Sequence, residues 1–213
     1  MATVSAPQTT PPSSDKRPRL TAYRTIDLVT IATLGVACGV VFWGWSQAWN
    51  GISTLALFAA PPLLGLLAGP WLVGGILGGL IVRRPGAALA TEFIAAFVEM
   101  LIGNQWGAST MVSGLLQGLG AEIVLAILLY RRFGPVAAGL SGALAAALEI
   151  FYEWHAYYGY WTWNYKLAYL GCTMLSGLVI AGIGGWLIVR AMAATGVLDA
   201  FGPGREHHDR TAV

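Results

Sequence analysis

The residues with the clearest chemical potential are five glutamates in or beside long apolar segments. Glu92, Glu99, Glu122 and Glu149 lie inside such segments, and Glu153 lies at the end of one. Ionisable groups are costly in apolar surroundings, so they mark binding sites by default. A neutral glutamate that hydrogen-bonds between helices is the alternative for any single position. It explains all five together less well, because few basic partners share these segments.

The spacing of the glutamates places them on helix faces. Glu92 and Glu99 are seven residues apart and stack on one face, two turns from each other. Glu149 and Glu153 are four residues apart, so two bare negative charges there would repel. A bound cation, or a proton on one carboxylate, would relieve that repulsion.

A second group with binding chemistry is the aromatic stretch 151–166. It contains nine Phe, Tyr or Trp residues together with Glu153, His155, Asn164 and Lys166. Aromatic faces stack on planar rings and attract cations, while Glu and Asn can fix orientation. This composition indicates a pocket for a small aromatic molecule, neutral or cationic. Catalysis has little support, because no Ser or Cys nucleophile stands beside His155.

The tryptophans are distributed unevenly along the predicted elements. Seven of the nine fall at helix ends or loops on the side opposite the paired arginines. An interfacial aromatic belt explains part of this, but a belt should occur on both sides. An aromatic-lined pocket at that side and a one-sided belt both remain open.

The elements that must position these residues are membrane helices. Of the 213 residues, 56% are hydrophobic and only 10% are charged, against roughly 25% charged in soluble domains. Only twelve of the 22 charges lie in the 169 residues 26–194. We therefore expect a membrane domain over 26–194, a disordered N-terminal tail over 1–25 and a flexible C-terminal tail over 195–213. A soluble two-domain enzyme, a disordered protein and a nucleic-acid binder are excluded.

Charge decides the number of membrane crossings. The segment 54–83 is interrupted by Pro61-Pro62 and Gly69-Pro70, so it is either one long kinked crossing or two half-length helices. One crossing puts the arginine pairs at 83–84 and 131–132 on the same side as the basic N-terminus. The prediction is an all-α protein with six transmembrane helices and both termini cytoplasmic. The predicted crossings are 26–48, 54–83, 86–104, 110–130, 133–155 and 166–194.

Three stretches of the chain resemble a known family. They are the run from Arg83-Arg-Pro-Gly to Glu92-Phe-Ile-Ala-Ala, then Gly103-Asn-Gln-Trp-Gly, and then Gly114-Leu-Leu-Gln-Gly-Leu-Gly-Ala-Glu122. They resemble the thiamin/hydroxymethylpyrimidine-type substrate-binding (S) component of energy-coupling factor (ECF) transporters. The resemblance extends over roughly 22–194, with 83–122 as its specific part. Relatives have been labelled cobalt permeases, but this sequence offers no His/Asp/Cys cluster as a metal site.

The resemblance implies a function and its partners. Such a subunit is not an enzyme, carries no cofactor and sits in the bacterial cell membrane. It binds thiamin or hydroxymethylpyrimidine at the outer face, and a transmembrane coupling (T) subunit and two cytoplasmic ATPases drive uptake. Consistently, the chain has no Gly-x-x-x-x-Gly-Lys-[Ser/Thr] motif. The candidate substrate-binding residues are Glu92, Glu99, Gln105, Trp106, Gln117, Glu122, Glu149, Tyr152, Glu153, Trp154, His155, Tyr157, Trp161 and Asn164.

The first helix has a face of small residues, Ala32, Gly35 and Gly39. Small residues let helix backbones approach closely in lipid. The resemblance implies that this face docks the coupling subunit, and packing within the chain is the alternative. For the protein as a whole, the alternatives are a self-sufficient transporter or channel, which the lack of an obvious inverted repeat disfavours, and an intramembrane enzyme, for which no nucleophile or metal constellation is found.

Overall fold

The structure is a computed structural model that describes residues 22–211. Most of the predicted N-terminal tail, residues 1–21, lies outside the described residues. Within 22–211 the regular elements are all helical. The α-helices are α1 (Thr25–Ile52), α2 (Val73–Val82), α3 (Ala87–Ile102), α4 (Ser109–Ile127), α5 (Pro135–Ala156), α6 (Trp163–Ser176), α7 (Gly185–Ala194) and α8 (Gly202–Thr211).

The segment between α1 and α2 is a broken span. It forms short 3₁₀ helices at Ala56–Phe58, Pro61–Leu67 and Gly69–Leu72 before α2 begins. Proline lacks the N–H that an α-helix needs, so the two proline sites favour 3₁₀ turns over a continuous helix. The chain bends by 42° between Pro61–Leu67 and Gly69–Val82. The interruption predicted for 54–83 is therefore present.

Within 22–211, four helices are long and apolar enough to cross a membrane, or five if the bent pair is one span. The four are Thr25–Ile52, Ser109–Ile127, Pro135–Ala156 and Trp163–Ala194, the last combining α6, a π-helical segment Gly177–Gly184 and α7. Helix α3 corresponds to the third predicted crossing, 86–104, but it has only 16 residues. At about 1.5 Å per residue it is shorter than the roughly 30 Å hydrocarbon layer.

Helix α5 and the π-helical segment Gly177–Gly184 meet through glycine. A Cβ added at Gly182 would lie 2.5 Å from Gly139 Cα and 2.6 Å from the Ala138 carbonyl oxygen. One added at Gly142 would collide with the Gly177 backbone. The two helices thus touch backbone to backbone, which only glycine permits.

The predicted docking face on α1 is mostly internal, which corrects that assignment for two of its three residues. Gly35 and Gly39 are buried against α3, where an added Cβ would lie 2.6 Å from Ile94 Cγ2 and 2.6 Å from the Ala95 carbonyl oxygen, respectively. Ala32 is exposed. The Gly-x-x-x-Gly pair serves packing within the chain, because α3 occupies that face.

The end of the bundle that carries the arginine pairs, here the basic end, is closed by polar contacts. Arg24 donates to Asp27 Oδ1 at 2.7 Å, and its guanidinium also donates to the Ala200 carbonyl at 3.2 Å. Arg83 pairs with Glu206 on α8. The sequence predicts a flexible tail over 195–213, whereas in the structure residues 202–211 form a helix and Phe201 is buried. This segment is polar, which favours a flexible tail in a prediction from sequence. The ion pair between Arg83 and Glu206 and the burial of Phe201 hold it against the bundle.

A binding cavity between the helix ends

A cavity of about 250 Å³ lies at the end of the bundle opposite the basic end. It is enclosed by α1, the 3₁₀ segment, α3, α4, α5, α6 and the loops at that end. The residues that line it are Phe42, Trp49, Leu64, Ala68, Trp71, Ala96, Glu99, Trp106, Thr110, Ser113, Gln117, Glu149, Glu153, Tyr157, Tyr158, Tyr169 and Thr173.

One wall is a hydrogen-bonded chain from α3 to the 3₁₀ segment. Ser46 on α1 donates to Glu99 Oε1 at 2.5 Å. The Trp71 indole N–H donates to the same Ser46 oxygen at 3.1 Å. Glu99 is only 2% exposed, so a buried carboxylate is held in place beside an indole ring.

Indole rings line the cavity near its mouth. The rings of Trp49 and Trp106 meet edge to face with centroids 5.5 Å apart. Trp71 lies in the same cluster, and Trp45 supports it from outside the cavity with centroids 6.1 Å apart. Edge-to-face packing of this kind holds each ring in a defined orientation, so the wall can receive a planar guest.

The facing wall comes from α5 and α6. Tyr169 donates its phenol hydrogen to Glu153 Oε2 at 2.7 Å, which ties the two helices together beside the cavity. Glu149 lies one turn below Glu153 and faces Ser113 and Gln117 of α4. Two carboxylates therefore stand on this wall, within one helical turn.

The loop after α5 completes the mouth with tyrosines. The hydroxyls of Tyr157 and Ser109 lie 2.6 Å apart in a hydrogen bond that links this loop to the start of α4. Burial, with the nearby Glu153 charge adding to it, raises the pKa of Tyr158 to about 12. This phenol stays neutral at physiological pH and can donate or accept a hydrogen bond.

The charge of the site is one-sided. Of the described residues that line the cavity, three are glutamates and none is lysine or arginine. The other polar groups of the lining are indole N–H groups, phenol hydroxyls, the Gln117 amide and the hydroxyls of Thr110, Ser113 and Thr173. Such a site favours a planar guest with hydrogen-bond donors or a positive charge, because both carboxylates and ring faces attract cations.

Six of the fourteen predicted binding residues meet at this cavity. They are Glu99, Trp106, Gln117, Glu149, Glu153 and Tyr157. The helical spacing correctly placed Glu149 and Glu153 together on α5. The prediction of an aromatic pocket at the side opposite the paired arginines agrees with where this cavity lies.

Two predicted glutamates do not line the cavity. Glu92 is buried behind the cavity, where it accepts a hydrogen bond from the Gly75 N–H. Glu122 lies at the basic end and accepts from the Gly86 N–H at 2.6 Å and the Tyr130 hydroxyl at 2.5 Å. The first turn of α3 leaves backbone N–H groups without intrahelical partners, and Glu122 satisfies them from α4.

The other six predicted residues are not among those lining the cavity. Trp161 stacks on the outer side of Tyr158 with centroids 4.1 Å apart, so it supports a lining residue. Trp154 is buried among Phe151 and Trp163. Tyr152 packs edge to face on a lining residue. Gln105, His155 and Asn164 are exposed.

Sequence reasoning missed eleven lining residues. They are Phe42, Trp49, Leu64, Ala68, Trp71, Ala96, Thr110, Ser113, Tyr158, Tyr169 and Thr173. Tyr158 lies in the aromatic stretch 151–166, and a usable signal also existed for three others. Tyr169 and Thr173 are four residues apart on one face of α6, and Trp71 follows directly on the Gly69-Pro70 break.

Comparisons with known proteins agree with this architecture. Residues 26–148 match the family described as the permease component of an ABC-type cobalt transport system. The chain is 30% identical over 190 residues to the protein named HMP/thiamine permease protein YkoE of Bacillus subtilis (strain 168), covering 87% of this chain and 92% of that protein. It also matches the crystal structure of an S component of an ECF transporter with a TM-score of 0.83 and 26% identity, over 90% of this chain and 96% of that one.

The fold and cavity define a membrane protein of the substrate-binding kind. The chain belongs to the S components of ECF transporters, in the thiamin/hydroxymethylpyrimidine group. The description of the matched family names cobalt as the transported substrate. Among the described residues, no group of three or more His, Cys, Asp and Glu side chains is placed to hold a metal ion.

Proposed function

We propose that this chain captures thiamin or its hydroxymethylpyrimidine precursor at the outer face of the bacterial cell membrane for ATP-driven uptake. The observation that carries the proposal is the cavity itself, where indole rings and three glutamates converge with no basic residue among the described lining. The similarity to an HMP/thiamine permease supports the same ligand class.

The ligand chemistry fits the two walls. A 4-aminopyrimidine ring offers an amine donor and ring nitrogens, so a carboxylate such as Glu99 can pair with it while an indole stacks on its face. The thiazolium ring of thiamin is a cation, for which Glu149 and Glu153 and the neighbouring tyrosines provide negative charge and ring faces. Two acidic walls therefore match a ligand with two different rings.

The orientation in the membrane follows from charge. We propose six crossings, with α3 as the short one, and both termini in the cytoplasm, since Arg83, Arg84, Arg131 and Arg132 then share the cytoplasmic side. Single cysteines at the exposed positions Arg132, Arg210 and Tyr160, in a chain without Cys38 and Cys172, test this. A membrane-impermeant thiol reagent should label only position 160 from outside. Labelling of 132 or 210 from outside would refute it.

The partners are a T subunit and two cytoplasmic ATPases. The chain has no phosphate-binding motif of its own, so energy must come from elsewhere. We assign no enzymatic activity to it. Of the three small residues predicted to dock the T subunit, Ala32 is the one on an exposed face.

A binding titration decides the ligand. Purified chain titrated with thiamin and, separately, with hydroxymethylpyrimidine should show saturable quenching of tryptophan fluorescence, because the cavity holds three indoles. The result against the proposal is no saturable binding of either compound to folded protein. Copurification of the chain with an ATPase pair tests the assembly independently of the ligand.

A further inference from the structure

Glu92 occupies an unusual position behind the cavity. It is 1% exposed, and its Oε2 accepts a hydrogen bond from the Gly75 N–H. Its Oε1 has no hydrogen-bond partner among the described residues. A buried polar group is retained at a cost, so Glu92 calls for a role beyond filling space.

The partner of Glu92 lies at the start of α2. Gly75 is the third residue of this helix, in the first turn, where backbone N–H groups lack intrahelical acceptors. A carboxylate at a helix N-terminus is favourable because the helix dipole is positive there. The glycine at position 74 leaves room for the Glu92 carboxylate. A Cβ at Gly74 would lie 2.9 Å from Glu92 Oε2 and 3.3 Å from Cζ of the cavity residue Phe42.

Glu99 holds the same span one element earlier, in the 3₁₀ turn Gly69–Leu72 that precedes α2. Through Ser46 it holds the Trp71 indole, while Glu92 holds Gly75. The two glutamates are two turns apart on α3, about 10 Å along the axis. Trp71 and Gly75 flank the step from the 3₁₀ turn to α2. Helix α3 therefore holds the span on both sides of this step, at Trp71 through Ser46 and at Gly75 directly.

We propose that Glu92 is a positioning residue for ligand binding. It does not touch the ligand. By anchoring the first turn of α2, it sets where the preceding turn presents Trp71 to Ser46 and to the cavity. This inference rests on the proposed function in so far as the cavity is where the ligand binds.

The first test needs no ligand. In protein labelled with 5-fluorotryptophan, Trp71→Phe assigns the fluorine resonance of Trp71. Glu92→Leu should shift or broaden that resonance, whereas Glu92→Gln, which keeps an oxygen acceptor for Gly75, should leave it near the wild-type position. Glu122→Leu is the matched control, since it removes another buried carboxylate that caps a helix, at the basic end. An unmoved Trp71 resonance in folded Glu92→Leu would overturn the proposal.

The second test is a double-mutant cycle in thiamin affinity. Glu92→Leu should raise the dissociation constant by about tenfold, and Glu92→Gln should restore most of the affinity. Combined with Trp71→Phe, Glu92→Leu should add little, because both changes act through one indole. Fully additive losses would show that Glu92 does not act through Trp71.

The outcomes separate this inference from the proposed function. If wild-type protein binds neither thiamin nor hydroxymethylpyrimidine, the proposed function fails and the fluorine experiment still decides the role of Glu92. If Glu92→Leu does not fold, Glu92→Asp replaces it, since it draws the carboxylate back by one methylene. A smaller shift of Trp71 in the same direction is then expected, and no shift refutes the positioning role.

Discussion

Trp106 meets Trp71 edge to face, with ring centroids 5.4 Å apart and an interplanar angle of 87°. The contact joins the loop after α3 to the 3₁₀ turn before α2, and both rings line the cavity. Each ring therefore limits the tilt of the other, so that the wall is shaped before a ligand arrives.

Removing one of these rings should weaken binding. Trp106→Ala is expected to cost around 1–3 kcal/mol, by analogy with bases stacked on aromatic side chains, which is roughly a 5- to 150-fold rise in the dissociation constant for thiamin. Isothermal titration in detergent measures it. Trp163→Ala is the control, because Trp163 is 68% exposed and outside the cavity lining. Equal affinity in the wild type and Trp106→Ala would contradict the stacking role.

The acidic wall on α5 should distinguish the two candidate ligands. Glu149→Gln and Glu153→Gln keep the shape but remove the charge, so each should weaken thiamin binding by about 1.5–3 kcal/mol, the worth of a hydrogen bond to a charged group. Neutral hydroxymethylpyrimidine should lose less, because it has no cationic ring. Glu122→Gln, far from the cavity, should leave both affinities alone. An equal loss of affinity for both ligands would show that the thiazolium cation does not bind at Glu149 and Glu153.

The sequence predicted the helical class, the break and the side on which a pocket would lie, because these depend on composition, proline and charge. It did not predict how far along each helix the cavity extends. Glu92 and Glu99 share one face of α3, as their spacing requires, yet only Glu99 reaches the cavity. Two turns along the helix axis separate a lining residue from a buried anchor, and spacing alone does not show which turn is open.

The aromatic stretch 151–166 misled in a specific way. Its composition indicates a pocket, but Trp161 packs behind the lining residue Tyr158, and Trp154 packs on Phe151 and Trp163 outside the lining. Trp71 falls inside the crossing predicted over 54–83, away from the helix ends that carry most of the tryptophans. The 3₁₀ turns bring it beside Trp106, a contact that only the folded chain creates.

Substitutions on α1 should separate internal packing from docking. Gly39→Leu is expected to destabilise the protein by at least 1–3 kcal/mol, the usual cost of overpacking, because an added Cβ would already lie 2.6 Å from Val98 Cβ. Thermal unfolding in detergent measures it. Ala32→Leu, on the exposed face, should leave unfolding and thiamin affinity unchanged but lower uptake in cells that contain the T subunit. Normal uptake with Ala32→Leu would exclude that residue from docking.

The contact between α8 and the loop after α2 should depend on pH. The hydrogen bond from Arg83 holds the pKa of Glu206 below its usual range. The stabilisation is therefore fully present at neutral pH, and it is lost as pH falls from the ordinary glutamate value of about 4.3 through the lowered folded pKa. Protection of α8 backbone amides from hydrogen exchange, compared between pH 7 and pH 3.5, should fall. Glu206→Gln should be less protected at pH 7 and less sensitive to pH, and an unchanged pH response in that variant would assign the effect to another group.

The glycine contact between Gly142 and Gly177 has a consequence for how ligand can leave. Backbone lies against backbone at this contact, so no rotatable side chain separates Gly142 of α5 from Gly177 of the π-helical segment. The wall that carries Glu153 and Tyr169 is then expected to move as one unit. Emptying the cavity is then expected to require displacement of the loops at its mouth, or reorientation of the whole bundle in the lipid, rather than separation of these two elements.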